Sequence, residues 1–314
     1  MITIKQTQYI EKLAKVYEGQ FEERDTPFRN PEAFMKLQPA SGDGIVPAAE
    51  YLGYTGSILW PANMTRPDIS YAAAFTCQFA QCADRPNHIQ ACLDIVGYLV
   101  RTKHMGITYG GKLKMPMGLN AFPQHFFDSR GLHTIGDSSW GRVPRPFGGF
   151  AVMYLNAVLA WSARSLKIVP DSTCEAEIAV GSKAAKCTSG VRMILEDMRR
   201  TVYGPTALLG DNKAMYDVII KPGTTARTTH FERATMLVKR LYTLFVLTPF
   251  LILTEWMTAD IFTKALAKDA FVKFRSNLMN TDASVVLHDD EGRVVSIKGK
   301  AAQLWSKIAT YTMQ

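Results

Sequence analysis

The stretch Asp171–Ala184, DSTCEAEIAVGSKA, predicts the start of a long helix that lies against a sheet. Ser172 or Thr173 can cap the helix by accepting free backbone N–H groups, and acidic residues in the first turns suit the positive end of the helix dipole. Glu177 shares one helix face with small residues three, four and seven positions further on. These residues are Val180, Gly181 and Ala184. Small side chains allow the helix to approach a sheet closely, with Glu177 on its packed side.

Three aspartates elsewhere in the chain stand where a fold of strands and helices can bring them to Glu177. They are Asp137, Asp211 and Asp260. Four carboxylates at one point repel each other, so such an arrangement requires divalent cations between them. The sequence therefore suggests a metal site built from four carboxylates. For each aspartate taken singly, a helix cap or a solvated surface position is the competing interpretation.

The composition is that of an ordinary globular protein. The 314 residues suffice for about two domains, with 47% hydrophobic and 20% charged residues. The most apolar run, residues 241–253, is short and contains Pro249, which predicts a helix end and a buried strand rather than a membrane span. The first residues lack the pattern of a signal peptide, and five cysteines without framework spacing indicate a reducing compartment. We expect an intracellular protein that is not secreted and has no membrane partner.

Positive charge is concentrated in the part of the chain that holds the four candidate carboxylates. The formal net charge is +8, and residues 131–280 contain 19 Lys and Arg against 12 Asp and Glu. A basic surface around an acidic, metal-binding centre suits a polyanion such as nucleic acid. A solvated basic surface without a partner is the other interpretation of the charge alone.

The hydrophobic pattern predicts a mainly helical first part and a mixed second part. Residues 1–23 predict a short strand and a helix ending near Gly19, residues 24–49 a loop, and residues 50–110 three helices and a short strand. From residue 131 the pattern predicts strands and helices in the order β, β, β, α, β, α. The predicted strands are His133–Ser138, Gly148–Tyr154, Ala157–Ser162, Ala207–Gly210 and Leu251–Trp256. The predicted helices are residues 171–198, Asn212–Ile220, Thr229–Phe245 and Ala259–Leu278, the last with Thr258 as its cap and Asp260 in its first turn.

Cysteine and histidine residues in the helical part offer a zinc site as an alternative function. They are Cys77, Cys82, His88 and Cys92. Their spacing is wider than that of known structural zinc sites. Buried small residues on helices are the favoured interpretation.

Taken in order, the motifs resemble the ribonuclease H fold with its Asp-Glu-Asp-Asp site, and more specifically the Pol polyprotein of copia-type LTR retrotransposons. GDSSWG resembles SDADWAG of that family and places Asp137 first. FGGFAVMYLNAVLAWSARSLKIVPDSTCEAE resembles STSGYxxxxxxxxISWxSxKQxxVAxSSTEAE and places Glu177 second. GDNKAMYDV resembles CDNQxAxxL and places Asp211 third, and MTADIFTKAL resembles DQLADIFTKPL and places Asp260 fourth.

The first part of the chain carries the same resemblance, which covers about residues 1–278. IKQTQYIEKLAKVY resembles the end of the polymerase palm. YLGYTGSILWPANMTRPDISYAAAFTCQFA and RPNHIQACLDIVGYLVRTKHMGITY resemble the thumb and connecting region. The implied domains are a reverse transcriptase C-terminal region at 1–110, a linker at 111–130, a ribonuclease H-like domain at 131–280 and a C-terminal tail at 281–314.

The resemblance implies an α/β fold with a mixed five-stranded, ribonuclease H-like sheet and flanking helices, preceded by a mainly helical thumb and connection region. It implies an endonuclease that hydrolyses the RNA strand of RNA–DNA hybrids with two Mg²⁺ ions, or Mn²⁺ in their place, held by the four carboxylates. Implied partners are the hybrid and the remaining reverse transcriptase and Pol segments, in a cytoplasmic virus-like particle or the nucleus. Basic residues on helices are candidates for phosphate contacts, with a solvated surface as the alternative: Arg199, Arg200, Lys239 and Arg240.

The chain also departs from the family pattern. Ser139 replaces the second acidic residue of SDADWAG, with little effect expected because that position is not catalytic, and His230 matches a family histidine for which we predict a structural role. No Tyr-x-Asp-Asp polymerase motif occurs, so no polymerase activity is expected. Two other functions stay open: an inactive retroelement remnant that only binds nucleic acid, and a recombinase or integrase on the same fold. The copia-like flanking segments disfavour the latter.

Overall fold

The computed structural model describes residues 1–114, 131–140, 146–222 and 232–281, together with the backbone of two short strands further on. Its strands are β1 (Ile2–Ile4), β2 (Ile107–Tyr109), β3 (His133–Ser138), β4 (Phe147–Tyr154), β5 (Ala157–Ser165), β6 (Thr206–Gly210), β7 (Leu247–Leu251), β8 (Leu287–His288) and β9 (Val294–Val295). Its α-helices are α1 (Thr7–Val16), α2 (Pro31–Met35), α3 (Ala48–Met64), α4 (Ser70–Thr76), α5 (Gln90–Arg101), α6 (Thr173–Asp197), α7 (Lys213–Ile220), α8 (Glu232–Thr243) and α9 (Lys268–Met279). None of these helices is long and apolar enough to cross a membrane.

The central sheet has five strands in the order β5-β4-β3-β6-β7. Strands β3, β4 and β5 are antiparallel neighbours, whereas β6 and β7 run parallel to β3. A mainly helical region precedes this mixed sheet, and helices flank it. The ribonuclease H-like fold class predicted from the sequence is therefore confirmed.

A two-residue turn joins the antiparallel strands β4 and β5 into a hairpin. Leu155 and Asn156 both have positive φ angles, 50° and 72°. Two central residues with positive φ form the turn type whose twist matches that of the flanking strands. Asn156 also donates its side-chain N–H to the carbonyl oxygen of Gly110 at 3.1 Å, which attaches the turn to the end of β2.

The two faces of the sheet are buried against different parts of the chain. On one face, Val152 and Leu208 pack in a hydrophobic cluster with α6 and α8. On the other face, Ala151 and Leu209 pack in a cluster that includes the helices of the first part of the chain and α9. This alternation follows the two-residue period of a strand, and it explains why the strands read as nearly continuous apolar runs.

The first part of the chain covers the sheet through specific contacts. The Trp161 indole N–H donates to the carbonyl oxygen of Ala62 and to Ser70 Oγ, both at 3.0 Å. The rings of Tyr71 and Phe147 meet edge to face with centroids 5.0 Å apart. One hydrophobic cluster thus contains residues from both sides of the predicted linker at 111–130. The domain boundaries themselves stay predictions.

A buried polar network joins the first part of the chain to α9. Arg66 is fully buried and donates from Nη2 to Asp68 Oδ2 at 2.8 Å. The Tyr98 hydroxyl donates to the same carboxylate and accepts from Arg275 Nη1 at 3.0 Å. Burial alone would raise the pKa of Asp68, but the adjacent Arg66 guanidinium lowers it below its ordinary value. The network holds two guanidinium groups and one carboxylate.

The bounds predicted for the last strand of the central sheet were wrong. The strand predicted at Leu251–Trp256 lies earlier, at Leu247–Leu251, and a short 3₁₀ helix, Thr254–Trp256, follows it. This strand contains Pro249, which the sheet tolerates because β7 is an edge strand and a proline has no N–H to donate.

The loop predicted over 24–49 was incomplete, because it contains the short helix α2. Asn30 accepts from two backbone N–H groups and caps this helix.

The helix predicted at Ala259–Leu278 is divided in two. A five-residue 3₁₀ helix, Thr258–Phe262, is buried along its whole length and ends before α9 begins at Lys268. Thr258 makes no capping hydrogen bond and instead accepts from Asn277 in α9. Asp260 therefore lies in a short buried turn and not in the first turn of α9.

Candidate metal centre

Asp137 lies near the end of β3, and Asp211 directly follows the adjacent parallel strand β6. The pairing of β3 with β6 aligns His133 with Ala207 and Ile135 with Leu209. The same register, continued by two residues, brings Asp137 beside Asp211. Because the carboxyl ends of parallel strands open at one edge of a sheet, the two side chains meet there.

Glu177 reaches the same edge from α6. The Ser172 side chain caps this helix by accepting from the backbone N–H of Glu175 at 3.1 Å, which fixes where the helix starts. A β-carbon added to Gly148 would lie 2.4 Å from a methyl carbon of Val180, so the helix packs directly on the sheet, as its small residues predict. Glu177 is 5% exposed. Its place in the second turn carries its carboxylate to the end of β3.

The three carboxylates form a cluster that can bind a metal. Asp137, Glu177 and Asp211 each offer one oxygen atom, and the three atoms lie within 4.8 Å of one another. Among the described residues, no other group of three or more Asp, Glu, His or Cys side chains comes together in this way. The structure thus brings together three of the four carboxylates predicted from the sequence.

Each of these carboxylates accepts a hydrogen bond from a hydroxyl group. Ser138 Oγ and the Ser138 backbone N–H donate to Glu177 Oε1 at 2.8 and 3.1 Å. Thr263 Oγ1 donates to Asp137 Oδ2. Thr254 Oγ1 donates to Asp211 Oδ2 at 2.8 Å. Such bonds fix the orientation of a carboxylate and leave its other oxygen for another ligand, as the supporting groups of metal sites do.

Burial and the charges of neighbouring carboxylates raise the pKa values of Glu177 and Asp137. Burial, followed by the charge of Asp137, raises the pKa of Glu177 well above its ordinary value. Burial also raises the pKa of Asp137, with a further contribution from the charge of Asp211 and an opposing one from the Thr263 hydrogen bond. A carboxylate that resists ionisation for these two reasons is stabilised in its charged form by a nearby cation.

Asp260 lies beside the cluster and faces Asp137. Its Oδ2 atom is 2.8 Å from Lys264 Nζ, and its buried Oδ1 atom has no hydrogen-bond partner among the described residues. Burial and the neighbouring Asp137 carboxylate raise the pKa of Asp260 to about 7, although Lys264 opposes this shift. The fourth predicted carboxylate is therefore adjacent to the other three but bound to a lysine.

The donor set suits a hard divalent cation. All the groups that converge are carboxylate oxygens, which are the protein ligands that Mg²⁺ and Mn²⁺ prefer. The unpartnered Oδ1 atom of buried Asp260 is a further oxygen donor at the same place. The alternative zinc site does not form among the described residues. His88 instead pairs with Asp84 at 3.0 Å, and the Cys92 thiol contacts the Tyr51 hydroxyl.

The residues predicted to contact phosphates lie on two different helices, α6 and α8, or directly after them. Arg199 and Arg200 follow the C-terminal end of α6, so at 1.5 Å per helical residue they are roughly 30 Å from Glu177. Lys239 and Arg240 lie on α8, and Lys239 Nζ donates to the carbonyl oxygen of Lys221 at 2.7 Å. Their role in binding nucleic acid stays a prediction. His230 lies outside the described residues.

Sequence reasoning missed the groups that orient the carboxylates. Ser138, Thr254, Thr263 and Lys264 contact the four acidic residues but received no role from the sequence. The ion pair of Lys264 with Asp260 could have been predicted, because the two residues are four positions apart, a spacing at which opposite charges meet on a helical turn. The serine and the threonines carried no such signal, since their partners are distant in sequence.

Comparison with known proteins gives one curated relative. No protein-family model matches the chain. The transposon Ty5-1 protein of Saccharomyces cerevisiae is 26% identical over 184 residues, which are 58% of this chain and 54% of that protein. The chain thus spans about half the length of the curated relative that it matches. The predicted resemblance to a retrotransposon protein is confirmed at this level, whereas the copia type stays a prediction.

Among solved structures, a bacterial domain is similar to part of the chain. It is the N-terminal RNase H domain of a Mycobacterium tuberculosis protein, solved as a fusion with maltose-binding protein. It is 15% identical, covers 46% of this chain and 94% of that chain, and gives a TM-score of 0.34. The chain is thus similar in sequence to a retrotransposon protein, and its fold is the α/β class with a mixed five-stranded sheet.

Proposed function

We propose that this chain is a retrotransposon-derived ribonuclease H, which hydrolyses the RNA strand of RNA–DNA hybrids as part of a longer reverse transcriptase polyprotein. The observation that carries the proposal is the convergence of Asp137, Glu177 and Asp211 within 4.8 Å at the end of two central parallel strands. The Ty5-1 relative supports a retrotransposon origin. The basic charge of residues 131–280 supports a polyanionic substrate.

The chain's own residues would hold the metal and the substrate in place. Asp137, Glu177 and Asp211 would bind the cations through the oxygens that the hydroxyl groups leave available, and Asp260 would complete the set. Two Mg²⁺ ions, or Mn²⁺ in their place, would stabilise charge on the scissile phosphate and activate the attacking water. Selection of an RNA strand would depend on contacts to its 2′-hydroxyl groups and on minor-groove shape.

Cleavage of a labelled RNA–DNA hybrid in Mg²⁺ tests this proposal. The parent chain should cut the RNA strand, and Asp211→Asn should lose at least about 100-fold in rate while it still binds the hybrid. Asp217→Asn is the matched control, because Asp217 lies on the following helix α7 and pairs with Lys221 at 3.5 Å, away from the cluster. It should cut like the parent. Equal rates for Asp211→Asn and the parent would contradict the proposed site.

A second candidate function is a remnant that binds nucleic acid without cutting it. The ion pair between Asp260 and Lys264 favours this candidate, because it occupies the fourth carboxylate. A folded parent chain that binds the hybrid but leaves it intact in both Mg²⁺ and Mn²⁺ would support the remnant. Strand transfer on duplex DNA, tested beside the hybrid, would indicate an integrase-like activity instead.

A further inference from the structure

Lys264 places a positive charge at the edge of the candidate metal centre. Its ammonium group is 2.8 Å from Asp260 Oδ2, and its side chain is only 21% exposed. Asp260 belongs to the 3₁₀ helix Thr258–Phe262, and Lys264 lies four residues later, in the segment that connects this helix to α9. A cation is therefore already present beside the carboxylates, and the backbone tethers it there.

This charge lies near two of the four carboxylates. It lowers the pKa of Asp137 as well as that of Asp260, in both cases against the larger effect of burial. Asp137 belongs to the three-carboxylate cluster on one side and faces Asp260 on the other. The site thus has two positions for positive charge. One lies among Asp137, Glu177 and Asp211, and the other lies at Asp260, where the Lys264 ammonium group is found.

The backbone around Asp260 holds this arrangement. The N–H groups of Thr263 and Lys264 both donate to the carbonyl oxygen of Asp260, at 3.1 and 3.2 Å. Thr263 also donates from its hydroxyl to Asp137, which binds the segment to β3. The Oδ1 atom of Asp260 is buried and has no hydrogen-bond partner among the described residues, so it can still accept a cation.

We propose that Lys264 occupies the second cation position as a tethered counter-ion, so that the chain binds one divalent cation tightly and a second only when the ammonium group leaves Asp260. This inference rests on the metal centre of the proposed function. The ligand is a hard divalent cation of the Mg²⁺ and Mn²⁺ class, because every donor is an oxygen.

Charge balance explains the expected order of binding. In the metal-bound centre, where the cation favours the ionised form of each carboxylate, the four carboxylates carry four negative charges, and Lys264 offsets one of them. After one divalent cation has bound, the centre retains a single negative charge with Lys264 in place and two negative charges without it. A second divalent cation is attracted less strongly by the smaller charge, and it must also displace the ammonium group from Asp260.

Calorimetric titration of the metal-free full chain with Mn²⁺ and Mg²⁺ tests the inference. We expect one tight site in the parent and a second site that binds about tenfold more tightly in Lys264→Gln. Lys264→Arg keeps the charge and should resemble the parent. Lys268→Gln is the control for loss of a nearby lysine, because Lys268 is exposed and pairs with Asp25. It should not change the second site.

The affinity of the second cation site, and not the rate of hybrid cleavage, decides whether the inference holds. Equal second-site affinity in Lys264→Gln and the parent would overturn the inference, as would two equally tight sites in the parent. Circular dichroism and the melting temperature identify an unfolded variant. Should Lys264→Gln fail to fold, Lys264→Met, which keeps the aliphatic part of the side chain, gives the same comparison.

Failure of this inference can be distinguished from failure of the proposed function. If Lys264→Gln gains the second site but no form of the chain cuts the hybrid, the counter-ion role stands and the ribonuclease proposal fails. If the parent cuts the hybrid and depends on Asp211, but the titrations of the parent and Lys264→Gln coincide, the ribonuclease proposal stands and the counter-ion role fails.

Discussion

Trp161, on the edge strand β5, donates its indole N–H to the carbonyl oxygen of Ala62 in α3, at 3.0 Å. The same N–H lies 3.0 Å from Ser70 Oγ at the start of α4. This contact joins the sheet that carries the metal centre to the helices of the first part of the chain. The contact connects residues on opposite sides of the predicted linker at 111–130. The helices of the first part of the chain therefore help to stabilise the sheet.

Removing this indole should weaken the whole described structure. Trp161→Phe loses the two hydrogen bonds and some packing, and we expect a cost of about 1–3 kcal/mol in the free energy of unfolding. Urea denaturation followed by fluorescence and by circular dichroism measures it. The two probes should give one shared midpoint. Separate transitions for the two parts of the chain would contradict a shared core.

Loss of the Thr263 hydroxyl should reduce metal binding without unfolding the chain. Thr263→Val keeps the shape of the side chain but leaves Asp137 Oδ2 without its donor, and supporting bonds of this kind are worth about 10–100-fold in metal affinity or activity. Thr263→Ser restores a hydroxyl group and should recover most of the loss. Cation titration and hybrid cleavage check both variants. A serine variant as poor as the valine variant would show that the methyl group, and not the hydroxyl, matters.

The metal-free chain should become less stable as pH rises from about 4 to about 7. The pKa of Asp260 is raised to about 7 in the folded chain, so the folded state binds more protons than the unfolded state in this window. Asp260→Asn removes this penalty. With EDTA present at pH 8 it should be more stable than the parent by about 1–3 kcal/mol, since one pKa unit corresponds to about 1.4 kcal/mol.

Comparison of the same variants at lower pH controls for other titrating groups. The advantage of Asp260→Asn over the parent should shrink towards pH 5, where the Asp260 carboxyl is protonated in the folded state. Asp269→Asn changes an exposed carboxylate at the start of α9 and should show no such pH-dependent advantage. An advantage of Asp260→Asn that is independent of pH would assign the effect to packing.

Breaking the buried network should be costly. Asp68→Asn leaves the buried guanidinium groups of Arg66 and Arg275 without their carboxylate, and loss of one partner in a buried pair typically costs about 3–5 kcal/mol. Denaturant midpoints measure the change. Glu50→Gln breaks the more exposed pair with Arg85, and it should cost less than about 1 kcal/mol. Similar costs for the two substitutions would contradict the role of burial.

The close contact between Gly149 and Phe262, beside the candidate metal centre, predicts that a side chain at position 149 destabilises the fold. A β-carbon at Gly149 would lie 2.2 Å from the Phe262 β-carbon, so Gly149→Ala must push away the 3₁₀ helix that carries Asp260. We expect a loss of about 1–3 kcal/mol and weaker cation binding. Gly56→Ala in α3 meets no atom within 4 Å and should be neutral or stabilising by up to about 1 kcal/mol. Thermal melts and cation titration distinguish the two.

Elements with strong local signals could be predicted from the sequence. The predicted strand His133–Ser138 has the observed bounds of β3, and the Leu155–Asn156 turn predicts the hairpin of β4 and β5. The cap at Ser172 and the small residues that follow it predict α6 and the inward direction of Glu177. In each case, neighbours in sequence determine the local structure.

Features that depend on distant partners could not be predicted in this way. The buried turn around Asp260 is formed by packing against the sheet, so its apolar pattern reads as the start of a longer helix. The Thr263 hydroxyl gains its role only when β3 brings Asp137 to it. The contact of Trp161 with Ala62 likewise depends on the tertiary fold, which is why the sequence suggests separate domains there.

The aromatic packing between the helices and the sheet has a consequence for genetics. Phe75 in α4 touches Phe147, and the carbonyl oxygen of Phe147 accepts from the backbone N–H of Ser139, two residues beyond Asp137. A substitution in α4 can therefore displace β3, which carries Asp137, without touching nucleic acid. A random screen for loss of cleavage should recover inactivating alleles across the first hundred codons, and a second screen for suppressors should find compensating changes in the sheet.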